Sequence, residues 1–138
     1  MSHIETSVLK TSFGPFRMVD NDILYHWSIA RQWILPAIEH GEFTIPEDEV
    51  VQGLLNKQKF LVYGQQSALI WENAGFVIKT IHFPFCGGNL KEIQEASVIL
   101  FDLAKQSGFK RVHITGRRGW AKAFPQLKEY CTTYKMEL

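Results

Sequence analysis

Cysteine is scarce in this sequence, and metal-binding spacings are absent from it. The 138 residues include two cysteines, Cys86 and Cys131, which lie far apart and outside any Cys-x-x-Cys pair. The five histidines show no His-x-x-x-His spacing. We therefore expect two reduced thiols, as in intracellular proteins, and no metal site.

The sequence also has no long apolar run and almost no net charge. No stretch approaches the roughly 18 apolar residues of a membrane-spanning helix, and the opening residues MSHIETSVLK lack the apolar segment of a signal peptide. The formal net charge is +1, so no overall field favours nucleic acid or an anionic membrane. These absences predict an intracellular protein with no secretion signal, no membrane partner and no nucleic-acid partner.

Apolar and aromatic residues, in contrast, are plentiful. Hydrophobic residues make up 46% of the chain, which is enough for a core in one domain over residues 1–138. The ten phenylalanines and four tryptophans have two interpretations, a well-filled core or an interface with other subunits. The segment 1–26 has no assignable structure. Its aromatic residues and those just after it are therefore the first candidates for such an interface: Phe13, Phe16 and Trp27.

Two helices are predicted in the first half of the chain. Apolar residues recur at helical spacing from about Ser28 to His40, and Pro36 is expected to kink this helix or end it early. A second helix begins near Pro46, and acidic residues crowd its first turn, where the helix dipole favours negative charge.

The second half of the chain has the pattern of a sheet with a crossover. β-branched and aromatic runs predict three antiparallel strands, the third being residues 75–83. A long amphipathic helix from Asn89 to about Ser107 leads to a further strand, which should lie parallel to the third. A short helix at 119–124 and a final strand complete the order. The expected fold class is α/β, with a mixed sheet covered by helices on both faces.

This order of elements resembles the GNAT family of N-acetyltransferases. The C-terminal pattern ITGRRGWAKAF…YCTTYKMEL is also similar to a group of small GNAT-like proteins encoded by tailed bacteriophages. The first resemblance implies an acetyl-CoA-dependent enzyme. The second implies a virion protein of the capsid interior or head–tail region, located in the host cytoplasm or in the virion.

The GNAT resemblance implies where acetyl-CoA binds. Two strands splay, here the segments 76–83 and 111–115, and the pantetheine arm enters between them. The pyrophosphate binds a loop of the form [RQ]-x-x-G-x-[GA] at the start of the central helix, where backbone N–H groups attract phosphate. This sequence lacks the leading Arg or Gln. The candidate cofactor-binding residues are Phe83, Phe85, Cys86, Gly87, Gly88 and Asn89.

A competing role exists for the start of the central helix. Asn89 and Glu92 have the spacing of a capping box, in which the chain satisfies its own N–H groups. Glu92 also places a negative charge near an incoming pyrophosphate, and at about 4 Å and an effective dielectric constant of about 20 such a pair interacts by about 4 kcal/mol. The two interpretations are a cofactor site and a capped structural helix.

The catalytic groups implied by the resemblance are only partly matched. The tyrosine that protonates the leaving thiolate would fall near Phe124, which cannot donate a proton, so Tyr130 is the candidate acid. Glu72 is the candidate base. His82 and His113 come next, each in a β-rich run where a packed histidine is the usual interpretation.

The segment Gly116 to Trp120 reads as a tight turn with exposed arginines. Arg117 and Arg118 have three interpretations: a solvated turn, a protein–protein contact, or a contact to an anion or a CoA phosphate. Trp120 is expected to pack the short helix on the sheet, and the candidate interaction residues are Arg117, Arg118 and Trp120. The surrounding basic cluster is too small to predict nucleic-acid binding.

The function expected from these patterns is a phage-encoded GNAT-fold protein that acts as a non-catalytic structural or interaction module without a cofactor. Its expected partners are other protein subunits, either phage structural proteins or copies of itself. The alternative is an acetyl-CoA-dependent N-acetyltransferase.

Overall fold

The computed structural model describes residues 8–40, 45–75, 77–115, 123–127 and 136–137. Within these residues the chain forms a sheet of six strands and three helices. In chain order the elements are β1 (Val8–Thr11), β2 (Gly14–Met18), α1 (Ile23–His40), α2 (Glu47–Leu55), β3 (Phe60–Tyr63), β4 (Ser67–Asn73), β5 (Thr80–Gly88), α3 (Leu90–Gln106) and β6 (Arg111–Ile114).

The strands lie in the sheet in their order along the chain. Each of the first four pairs is antiparallel, and β5 pairs with β6 in parallel. The parallel pair is joined by α3, because a parallel connection needs a crossover long enough to return to the same edge. The mixed α/β class and the parallel last pair are therefore as the sequence predicted.

Two hydrophobic layers lie on opposite faces of the sheet. Helices α1 and α2 cover one face, where Ile34 and Val50 pack against Ile70. Helix α3 covers the other face, where Ile93 and Leu100 belong to the same buried cluster as Phe83. Neighbouring residues of one strand alternate between these clusters because successive side chains of a strand point to opposite faces. The expectation of helices on both faces is confirmed.

The N-terminal hairpin was not anticipated from the sequence. Strands β1 and β2 pair from Val8↔Arg17 to Thr11↔Gly14, and Gly14 has a positive φ of 118° at the turn. Phe16 is fully buried in the cluster beneath α3. Trp27 is also buried, and its indole N–H donates to Glu47 at 2.8 Å. Both side chains thus contribute to this chain's own core, the first of the two interpretations of its aromatic residues.

Several element boundaries differ from the predicted ones. Helix α1 begins at Ile23 rather than Ser28 and continues through Pro36 to His40. Strand β5 begins at Thr80 rather than at residue 75 and runs to Gly88, through the residues expected to form a loop. The predicted final strand and most of the short helix at 119–124 lie outside the described residues. In the part of the chain that is described, no helix is long and apolar enough to cross a membrane.

Candidate functional site

The site lies at the end of the parallel strand pair that the structure describes. Strands β5 and β6 pair from Thr80↔Arg111 to Phe83↔Ile114, and the Thr115 N–H then donates to the Phe83 carbonyl at 3.1 Å. Beyond this point β5 continues to Gly88, while β6 has ended. The register of β5 against β4 also shifts here, between Ile70 and Glu72 of β4.

The register shift changes which face the β5 side chains occupy. Ile81 and Phe83 belong to the cluster under α3, whereas Phe85 belongs to the cluster under α1. A regular strand would place all three on one face. His82 therefore lies on the α1 and α2 face, directly at the irregularity, and shares that face with Glu72.

A continuous hydrogen-bonded chain of polar side chains crosses three strands at this place. His82 Nδ1 lies 2.8 Å from Glu72 Oε2, and His82 Nε2 lies 2.7 Å from Thr115 Oγ1. Lys59 Nζ lies 2.6 Å from the other oxygen of Glu72. The order carboxylate, imidazole, hydroxyl is the one that activates a hydroxyl or an incoming nucleophile in acyl-transfer sites.

The charges in this chain fix the direction of its hydrogen bonds. Burial raises the pKa of Glu72, but hydrogen bonds from Lys59 and His82 outweigh it, and the net pKa lies below the ordinary value. An ionised carboxylate only accepts, so Nδ1 of His82 carries the hydrogen that faces Glu72. In the neutral ring, Nε2 is then the acceptor that faces the Thr115 hydroxyl.

His113 lies beside His82 in the parallel register. Burial lowers the pKa of His113, and the charges of His82 and Arg111 lower it further. His113 therefore stays neutral at pH values where an ordinary histidine begins to ionise. His113 therefore adds little positive charge beside His82 near neutral pH.

The first turn of α3 is capped by a side chain of this protein, that of Asn89. The Asn89 side chain accepts a hydrogen bond from the Glu92 N–H at 3.1 Å, so the predicted N-cap forms. The reciprocal half of the capping box does not form, because the Asn89 N–H donates to the Gln66 carbonyl at 2.8 Å instead. Glu92 is fully buried and accepts from the N–H groups of Gln65 and Gln66 and from the Ser67 hydroxyl.

The two glycines before α3 are explained by close packing. Gly87 and Gly88 pair with Ala68 and Ser67 in the sheet. A Cβ on Gly87 would overlap the Trp33 carbonyl oxygen, and one on Gly88 would overlap the Gln66 carbonyl oxygen. Only Asn89 separates the strand from the helix. The glycine pair therefore has a packing role, and the segment also lacks the leading Arg or Gln of the pyrophosphate loop that the GNAT resemblance implies.

The other residues predicted to bind the cofactor pack in the hydrophobic core. Phe83 and Phe85 are buried on opposite faces of the sheet. Burial raises the pKa of the Cys86 thiol to about 12, so it is protonated and unreactive at neutral pH. Phe124 is buried against Phe101. The remaining predicted site residues lie outside the described residues: Tyr130, Arg117, Arg118 and Trp120.

Of the candidate bases, the structure brings Glu72 and His82 together. Thr115 was not among the residues predicted from the sequence; it follows β6, and His82 connects it to Glu72. A usable signal was present: Thr80 and His82, like His113 and Thr115, are polar residues at alternate positions of otherwise apolar strands. Such an alternation places polar groups on one face of adjacent strands.

Comparison with known proteins supports the fold. No family model matches the chain, and no curated protein matches it. Among solved structures, the chain is similar to glucosamine-6-phosphate N-acetyltransferase from Arabidopsis thaliana, with a TM-score of 0.55 and 10% sequence identity. The match covers 88% of this chain and 99% of that one. The chain thus has a GNAT-like fold.

Proposed function

We propose that this GNAT-fold protein transfers an acyl group to an amine. The observation that carries the proposal is the hydrogen-bonded chain from Glu72 through His82 to Thr115, at the end of the described β5–β6 pair. The likeness to an acetyltransferase agrees with the reaction class.

His82 serves as the general base in this proposal. Its Nε2 faces the Thr115 hydroxyl, and Glu72 holds the ring through Nδ1. An imidazole is suited to remove a proton from an attacking ammonium or hydroxyl group near neutral pH. Glu72 then stabilises the imidazolium that forms, and Lys59 keeps Glu72 ionised and in place.

The class of acyl donor is inferred from the roles of the residues around the start of α3. Glu92 is buried and bonded to the turn at Gln65–Ser67, and the glycines before α3 pack against Trp33 and Gln66, so these residues serve the fold. We therefore assign recognition of the donor to its acyl and thioester end. A short acyl thioester should then serve as well as acetyl-CoA.

A second candidate function is a non-catalytic interaction module, and the structural roles of the residues around the start of α3 favour it. Glu92 and the glycine pair hold the fold together at the place where the GNAT resemblance implies a cofactor. In this proposal Arg117, Arg118 and Trp120 contact other protein subunits. A place in a phage virion remains the more specific prediction, which mass spectrometry of purified virions tests through a defined copy number of the chain.

Transfer assays separate the two candidates. The full chain is incubated with an amine acceptor and either acetyl-CoA or a short acetyl thioester, and the acylated amine is quantified. Acyl transfer predicts similar rates with both donors and a loss of about 100-fold or more in His82→Gln. His40→Gln, an exposed histidine at the end of α1, is the matched control and should retain the rate. Absence of transfer with either donor would overturn the enzymatic proposal.

A further inference from the structure

We infer that Thr115 is a nucleophile that carries the acyl group as an ester between donor and acceptor. The inference deepens the proposed acyl-transfer function and rests on it for the identity of the final acceptor. It names a covalent step that direct transfer from donor to amine does not contain.

In this geometry, the Thr115 hydroxyl is the group in position to be deprotonated by His82. Neutral imidazole has one lone pair, at Nε2, because Nδ1 carries the hydrogen facing Glu72. That lone pair faces Thr115 Oγ1 at 2.7 Å, a normal hydrogen-bond distance for general-base catalysis. An amine reaching Nε2 would have to displace this hydroxyl first.

The hydroxyl is also within reach of a substrate. Thr115 is exposed, whereas His82 and Glu72 are partly buried behind it. Its backbone is held by the hydrogen bond from its N–H to the Phe83 carbonyl. An exposed hydroxyl on a fixed backbone, with its base behind it, is the arrangement of an activated nucleophile.

A covalent step suits a donor that is recognised by its acyl end. Direct transfer needs donor and amine bound at the same time. Glu92 is engaged with the turn at Gln65–Ser67 and the glycine pair with packing, which agrees with a donor held by its acyl and thioester end. An ester on Thr115 retains the acyl group after the donor has left.

The step balances without any further reactant. Thr115 Oγ1 attacks the thioester carbonyl carbon, a C–O bond forms, and the C–S bond breaks. The hydroxyl proton passes to His82 Nε2 and then to the departing sulfur, which leaves as a thiol. In the second half an amine attacks the ester, its proton passes through His82, and Oγ1 is released as the hydroxyl.

The charged groups around His82 support this proton transfer. Glu72 accepts from Nδ1 on one side, and Lys59 is paired to Glu72 rather than directed at the ring. His113 and Arg111 lie on the neighbouring strand β6. The imidazolium formed during attack therefore has a carboxylate as its immediate partner, which is the role of the acid in a hydroxyl–imidazole–carboxylate site.

The test is mass spectrometry of the full chain after incubation with a short acetyl thioester or p-nitrophenyl acetate and an acid quench. We expect the mass of one acetyl group, mapped to Thr115, and a burst of released thiol or nitrophenol. Thr115→Ser should keep both signals. Thr115→Val, which has the same shape, should lose them while its melting temperature stays near that of the parent. Thr80→Val, which removes a hydroxyl bonded to the Ile78 carbonyl, is the matched control and should keep both signals.

The outcomes separate this inference from the proposed function. Amine transfer that persists in Thr115→Val overturns the covalent step and leaves direct transfer in place. An ester on Thr115 that yields only hydrolysis and no acylated amine supports the nucleophile and overturns the amine-transfer proposal. No ester and no transfer, in a folded protein, overturns both.

Discussion

The Glu92 carboxylate and the Ser67 hydroxyl lie 2.5 Å apart in the protein interior, which ties the first turn of α3 to the start of β4. The same carboxylate accepts from the N–H groups of Gln65 and Gln66. One side chain thereby satisfies the polar groups of the turn between β3 and β4. It does so at the end of the helix where acetyltransferases of this fold are expected to hold a pyrophosphate.

Removing this carboxylate should destabilise the whole domain. Glu92→Ala leaves two backbone N–H groups and one hydroxyl without their acceptor in a buried place, and we expect a loss of about 3 kcal/mol in the free energy of unfolding. Denaturant unfolding measures it. Glu95→Ala, one turn along α3, removes exposed hydrogen bonds to Ser12 and should have a clearly smaller effect. Equal effects would show that Glu92 has no special structural role.

The glycine pair before α3 should respond to substitution as a packing feature. In Gly87→Ala the new Cβ meets the Trp33 carbonyl, and backbone cannot move aside as a flexible side chain does, so we expect a loss of about 2 kcal/mol or more. Gly88→Ala combines such a clash with a positive φ of 109°. Gly108→Ala measures the cost of the positive φ alone, about 1 kcal/mol of unfolding free energy, because no atom would clash with a Cβ at that position. Thermal unfolding of the three variants gives the comparison, and an unchanged melting temperature in Gly87→Ala would contradict the packing explanation.

Glu72 should make stability depend on pH in the acidic range. Its pKa in the folded protein lies below the ordinary 4.5, so its contribution is fully present above the unfolded-state pKa and is lost as pH falls through the folded-state pKa. The Glu72→Gln variant lacks this pH-dependent contribution to stability. Melting temperatures measured from pH 7 downward should show the difference between parent and variant shrinking below about pH 4.5. A difference that stays constant or grows toward acid would contradict the ion pairing with Lys59 and His82.

Cys86 should resist thiol reagents while the protein is folded. Burial raises the pKa of this thiol to about 12, so almost no thiolate exists at neutral pH. In a Cys131→Ser background, labelling by iodoacetamide at pH 7.5 should be slow in buffer and fast in denaturant. The ratio of the two rates measures the protection. Rapid labelling of the native protein would show that β5 opens far more readily than its paired, partly buried position implies.

Local sequence signals were sufficient for α3 and insufficient for α1. The helix predicted from Asn89 to Ser107 differs from the observed Leu90–Gln106 only at its caps, because the capping Asn89 and the positive-φ Gly108 act over a few residues. Pro36 was expected to disrupt α1, yet the helix continues past it. Ile34 and Ile38, on either side of it, are buried in the core, and tertiary packing of this kind overrides a local preference.

The sequence by itself determined the element order from α1 to β6, the mixed sheet with helices on both faces, and the Asn89 cap of the central helix. Each depends on periodicity or on contacts a few residues apart. Only the tertiary structure joined Glu72, His82 and Thr115, because the register shift in β5 and the parallel pairing with β6 decide which face each side chain occupies. It alone directed Glu92 to the turn at Gln65–Ser67, since a buried carboxylate takes its donors from whichever element folds against it.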